Sequence, residues 1–174
     1  MITCSRRSTL VPCRKSFTDA IASWIKSEED LALWSGNTFA NGFSGKRFRR
    51  HLDRRDLRSF AYLDKKSKPL CYADIVRANE RAGILCRVIV DPNYRNNGLG
   101  KAFCKDLMNW AREEGRFRKI HLNTFGHNGS ALACYESLGF RRIFTKRACR
   151  KVGEKWRDLV VMTLNLPAFH ARRP

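Results

Sequence analysis

The chain has 174 residues, 43% of them hydrophobic and 11% aromatic, which excludes a disordered segment and suffices for one domain with a buried core. Its 35 lysines and arginines stand against 16 acidic residues, a formal charge of +19 that favours anionic ligands and disfavours polycationic ones. No apolar run approaches the roughly 18 residues of a membrane span. The basic N-terminus is not followed by the apolar core of a signal peptide, so a cytoplasmic protein without a membrane partner is expected.

In chain order, residues 1–9 are expected to be loose, and Leu10-Val11-Pro12-Cys13 reads as a short edge strand, where proline is tolerated. Phe17, Ala20, Ile21, Trp24 and Ile25 recur at helical spacing behind Ser16 as N-cap. A shorter helix is predicted from Glu28 to Trp34, stopped by Gly36. From Gly45 to Arg58, Lys46, Arg47, Arg49, Arg50, Arg54, Arg55 and Arg58 alternate with Phe48, Leu52 and Leu57. An amphipathic cover helix with solvated arginines is one reading of this block, and a helix facing RNA or another polyanion is the other.

Ser59 to Leu63 and Leu70 to Val76 read as a hairpin around the polar turn at Asp64 to Ser67, and a polar reversal follows at Arg77 to Arg81. Ile84 to Val90 is rich in β-formers and ends at Asp91-Pro92, where proline turns the chain. Leu99, Ala102, Phe103, Leu107, Trp110 and Ala111 give the strongest helical period, which ends near Gly115. A strand at Lys119 to Thr124, a helix from Gly129 to Leu138 closed by Gly139, and strands at Phe140 to Cys149 and Trp156 to Leu166 complete a mixed α/β (α+β) chain with one central crossover. The seven cysteines (Cys4, Cys13, Cys71, Cys86, Cys104, Cys134, Cys149) lack metal-binding spacing and read as free thiols, mostly core, so no metal is expected.

The chemistry is concentrated after Val90. Arg95-Asn96-Asn97-Gly98-Leu99-Gly100 is a tight turn opening a helix; glycines there let backbone N–H groups approach a phosphate, the helix end adds positive potential, and Arg95 adds a cation. This segment, led in by Val88-Ile89-Val90-Asp91-Pro92, resembles the pyrophosphate loop Gln/Arg-x-x-Gly-x-Gly/Ala of the GNAT acetyltransferase superfamily. A second segment, Asn128, Ala131, Tyr135, Gly139 and Phe140, is similar to the same family's Asn-x-x-Ala-x-x-x-Tyr-x-x-x-Gly-Phe helix. The resemblance covers Ile84 to Phe140, extends to Leu166 and thins over the first eighty residues, where Trp34-Ser35-Gly36 is similar to a segment near the acceptor pocket of some relatives.

The resemblance implies one acetyltransferase domain, with a mostly antiparallel central sheet of six to seven strands flanked by about four helices. It implies acetyl-CoA as cofactor and direct attack by a primary amine through a tetrahedral intermediate. Val88, Ile89 and Val90 would line the pantetheine arm, and Val88 N–H would polarise the thioester carbonyl. The diphosphate would sit on the N–H groups of Asn96, Asn97, Gly98, Leu99, Gly100 and Lys101 beside Arg95. Asn128 would bond the arm and Tyr135 would protonate the departing thiolate; Cys134 is read as core. The glutamate that some relatives carry on the fourth strand falls on Ile84 here, and Glu80, Asp74 or a water held by Asn123 are the substitutes. The acceptor is a small amine, peptide or protein; the alternatives are an RNA-borne amine or a non-catalytic RNA-binding module, the last disfavoured by two intact motifs.

Overall fold

The computed structural model describes residues 8–167. Most of the stretch expected to be loose, with Cys4, lies outside them. Seven strands form one sheet in the order β1-β2-β3-β4-β5-β7-β6. They are β1 (Thr9–Pro12), β2 (Leu57–Leu63), β3 (Pro69–Arg77), β4 (Ala82–Val90), β5 (Lys119–Phe125), β6 (Arg141–Val152) and β7 (Lys155–Asn165). Among the described residues five α-helices accompany them, against the about four that the family resemblance implies: α1 (Thr18–Ala22), α2 (Glu28–Ser35), α3 (Gly45–His51), α4 (Leu99–Glu113) and α5 (Gly129–Ser137). Among the described residues no helix is long and apolar enough to cross a membrane.

All strand pairs are antiparallel except β4 with β5, which α4 joins as the crossover. The apolar stripe read from the sequence holds α4 to the sheet through Leu99, Phe103, Leu107 and Ala111, all buried. Side chains of adjacent strand residues go to opposite faces. Cys71 and Ala73 join the core under α4 and α5, whereas Tyr72 and Ile89 join a second core with Ile21, Trp24, Phe39 and Phe48 from the α1 to α3 region.

Two predicted helices are shorter than their patterns. The first is a 3-10 turn at Lys15–Phe17 followed by α1, and Phe17, not Ser16, occupies the cap position. In the basic block only Gly45–His51 is helical, with Ser44 Oγ accepting from Arg47 N at 3.3 Å. Leu57 there is buried as the first residue of β2, paired opposite Val76, so strand pairing overrides the helical spacing of the apolar residues.

Two irregularities at β4 position the site. Pairing with β5 runs only from Ala82↔Lys119 to Leu85↔Leu122, so Cys86 to Val90 diverge from Asn123 to Phe125. The register with β3 shifts between Tyr72 and Asp74, and Arg87 in this bulge has a left-handed φ of 53°. A bulge beside a splayed strand pair opens the sheet without breaking its two flanks.

Candidate active site

The splay opens two cavities that share Leu33, Trp34, Val88, Asn128, Ala131 and Tyr135. The larger, of ≈ 550 Å³, runs along Val88 to Val90 to the loop after β4; the smaller, of ≈ 210 Å³, extends the other way to Arg87, Asn123 and Arg150. Tyr135 and Val88 therefore stand where two ligands entering from opposite sides would meet.

The loop combines two left-handed residues, Asn96 at φ 61° and Gly98 at φ 74°. Gly98 is the N-cap of α4 and supplies no side-chain cap, so the first N–H groups of the helix remain open to an anion. A Cβ at residue 98 would meet nothing within 4 Å and would project into open space, whereas one at Gly100 would lie 3.3 Å from Val90 Cγ2. The two glycines thus act differently: Gly98 accommodates the turn, and Gly100 lets α4 approach β4. Arg95, Asn96, Gly98, Gly100 and Lys101 line the larger cleft, and Arg95 Nε donates to Val90 O at 3.2 Å. Leu99 is a core residue, so only its backbone is left for ligand contact, and Asn97 is not among the lining residues.

Asn128 is both a cap and a lining residue. Its Oδ1 accepts from Ala131 N at 3.2 Å, which starts α5, while the residue borders both cavities. Tyr135 is buried against Phe140 in an edge-on ring contact at 5.8 Å. Burial, reinforced by Cys104 and Cys134, pushes its phenol well above the usual range, so the hydroxyl stays protonated at neutral pH. Among the described residues it has no protein hydrogen-bond partner.

Cys134 departs from the core role expected of it: it is half-buried and lines the larger cleft. The hydrogen bond with Cys104, against the cost of burial and with help from the Lys101 charge, lowers its pKa to about 7.

Of the three substitutes for the missing base, only Asn123 borders the smaller cavity. Glu80 is exposed in the turn before β4, at the end where β4 and β5 are still paired. Asp74 is fully buried and fully engaged: His51 Nε2 lies 3.0 Å from Oδ2, Ser59 and Tyr72 hydroxyls donate to Oδ1 at 2.5 and 2.6 Å, and Arg87 Nε donates to Oδ2. Burial alone would raise this carboxyl, but the His51 hydrogen bond and the Arg87 charge outweigh it and hold the group below the usual range. A carboxylate so enclosed positions Arg87 and takes no proton from a ligand.

The segment Trp34-Ser35-Gly36 also lines the smaller cavity. Trp34 Nε1 donates to Arg87 O at 2.7 Å, which ties the end of α2 to the bulge, and its ring packs among Phe39, Phe43, Phe48 and Tyr72. Arg87 escapes the sequence reading because it belongs to no motif, whereas Arg150 is legible there as one of a basic group near the C-terminal strands (Arg141, Arg142, Lys146, Arg147, Arg150 and Lys151), expected to converge with the Lys46 to Arg58 block beside the acceptor entrance.

The Lys46 to Arg58 block and the basic group of β6 meet the sheet at different strands, although Arg150 of β6 reaches Gly36, beside the residues that line the hollow of the first block. Arg47, Arg50 and Arg54 line a hollow of ≈ 370 Å³ with residues 37–42, on the side where His51 reaches Asp74 of β3. β6 lies four strand positions from β3, about 19 Å at the usual strand spacing.

The acetyltransferase (GNAT) family profile matches residues 21–140, more than half of the chain. A ribosomal protein bS18-alanine N-acetyltransferase from Escherichia coli K12 is 28% identical over 148 residues, 84% of this chain and 91% of its own length. Among solved structures, spermidine N-acetyltransferase from Vibrio cholerae in complex with CoA and spermine has a TM-score of 0.80 at 15% identity, covering 91% of this chain and 95% of that one. The ribosomal-protein-S18-alanine N-acetyltransferase of Escherichia coli gives 0.73 at 20% identity, covering 97% and 99%. At these identities the structural likeness establishes the fold.

Proposed function

The chain belongs to the acetyltransferase (GNAT) family, and we propose that it works as one domain moving an acetyl group from acetyl-CoA directly onto a primary amine of a small molecule, peptide or protein. Acetyl-CoA supplies the activated acyl group. The observation that carries the reading is the junction of two cavities at Val88 and Tyr135, with a helix N-terminus at the far end of the larger one.

The larger cleft suits the cofactor chemically. Open N–H groups at the start of α4, with Arg95 and Lys101 beside them, form an anion cradle for the diphosphate. The edge of β4 from Cys86 to Val90, unpaired toward β5, offers backbone donors and acceptors to the pantetheine arm, and Asn128 faces it from α5. Val88 N–H polarises the carbonyl, because a fixed donor stabilises developing negative charge more than the ground state. Tyr135, held protonated by its surroundings, returns a proton to the departing thiolate. No protein nucleophile is required.

Among the described residues no carboxylate lines the smaller cavity, where the acceptor enters. The amine must therefore arrive largely neutral or lose its proton through water at Asn123. An amine of lowered pKa, such as an α-amino group near 8, meets this condition more easily than an alkylamine near 10.4. The relative acting on the ribosomal-protein alanine fits that class.

The test is calorimetry with acetyl-CoA, followed by CoA release against a panel of primary amines. Binding together with amine-dependent release supports the reading; a folded protein with no affinity for acetyl-CoA refutes it.

A further inference from the structure

We propose that the acceptor is a small amine carrying an oxyanion, a carboxylate or a phosphate, held in the smaller cavity by Arg150 and Arg87. The proposal rests on the acetyltransferase reading above and names the substrate class of the same site.

The first ground is the charge of the lining. Among the described residues seventeen border the cavity; Arg87 and Arg150 are cations and none is Asp or Glu. A polyamine acceptor carries several positive charges and needs carboxylates to replace its water. This cavity offers the reverse, so it repels such an acceptor and attracts an anion.

The second ground is that the cations are not consumed by the protein. Arg150, on β6, lays its guanidinium against Gly36: a Cβ at that position would collide with Arg150 Nη1, and Gly36 itself has a left-handed φ of 56°. Among the described residues Arg150 has neither an ion pair nor a hydrogen bond. Its strand neighbour Arg157 differs, being 3.6 Å from Glu29.

Arg87 is committed in part. Nε is held by Asp74 and Nη1 donates to Thr38 Oγ1 at 2.9 Å, yet Nη2 is buried without a partner in a side chain only 7% exposed. Ser35 Oγ, on a residue that also lines the cavity, is likewise buried and unpartnered. Buried polar atoms in native proteins nearly always find partners. Ligand oxygens supply acceptors to both arginines, whereas a purely cationic or apolar acceptor supplies none.

The third ground is size. A cavity of ≈ 210 Å³ that ends at Tyr135 and Val88 accommodates the reacting amine and its anionic group together on one small molecule. Lys would serve Arg150 less well, because the planar fork of guanidinium engages two oxygens of one anion.

The test measures binding to the CoA-loaded protein, so that it does not depend on turnover. Calorimetry compares matched pairs, O-phosphoethanolamine with ethanolamine and glycine with glycinamide, and adds spermidine. At least one anionic member binds about tenfold or more tightly than its neutral partner, as expected for a charge-assisted bond, and the two pairs separate phosphate from carboxylate. Arg150→Gln removes that difference, Arg150→Lys restores part of it, and CoA affinity stays at the wild-type value in both. The proposal is overturned if neutral members or spermidine bind as well as the anionic ones, if no anionic member binds, or if Arg150→Gln keeps the preference. Failure of CoA itself to bind removes the acetyltransferase reading, and the proposal falls with it.

Discussion

The larger cleft and the smaller cavity share six residues but are assembled by opposite means. Most of the larger one comes from two short segments, residues 88–101 and 128–135, and its chemistry is largely backbone: strand edge, glycine turn and helix end. The smaller gathers Trp34 to Gly36, Arg87, Asn123 and Arg150, which lie on α2, β4, β5 and β6 and act through side chains. Binding that uses backbone geometry tolerates many side chains around it, whereas side-chain recognition changes with single substitutions. The first arrangement suits a ligand common to a family, and the second suits the ligand in which members differ.

The largest effect is expected on the side-chain half. Asp74→Ala leaves Arg87 buried without its counter-charge and His51 without its hydrogen-bond partner, and should cost about 3–5 kcal/mol of unfolding free energy, read by denaturant titration. The same group predicts an acid limb. Its carboxyl is more acidic folded than unfolded, so it adds stability above the ordinary value of 3.8 and loses it as pH falls through the lower folded value. Unchanged acid stability in Asp74→Asn relative to wild type would show that the network does not set the fold of this half.

At the junction, Tyr135→Phe should lower turnover about 100-fold or more while acetyl-CoA affinity barely moves, since it removes a proton donor and little contact area. Steady-state rates beside calorimetry separate the two, and wild-type turnover would leave the ring as packing alone.

On the backbone half, Gly98→Val should weaken acetyl-CoA binding about tenfold, because a β-branched residue at φ 74° costs about 1–3 kcal/mol and shifts the turn that presents the first N–H groups of α4. Circular dichroism establishes whether the fold persists. Full affinity in the folded variant would mean that the loop is not the anion cradle.

The smallest effect concerns Cys134. With a pKa of about 7 it is about half thiolate at neutral pH, so its alkylation by iodoacetamide should rise with pH around 7 and then level off. Acetyl-CoA occupying the larger cleft should slow it several-fold, as mass spectrometry of the labelled peptide would show; labelling indifferent to acetyl-CoA would place Cys134 outside the occupied cleft.

What the sequence determined by itself is the part governed by near neighbours. The apolar period of 99–111 fixes α4 and the buried face it presents, the β-rich run ending at Asp91-Pro92 fixes β4, and Gly98 and Gly100 mark where the chain turns into the helix. Those features fall within about 30 residues, so local dihedral preference and periodicity suffice to read them, whereas Tyr135 is singled out only by the resemblance of a second segment to the family. What only the tertiary structure decided depends on strands meeting. The basic block ends its helix at His51 because Leu57 pairs with β3, an interaction no spacing reveals. Asp74 is withdrawn from proton transfer because His51 and Arg87 close on it from different elements. Arg150 becomes a wall of the smaller cavity because its strand brings it, 63 positions beyond Arg87 in the chain, against Gly36. The physical reason is the range of the interactions: turns and helical faces are settled by residues a few positions apart, whereas charge pairing and cavity walls are settled by sheet order and register.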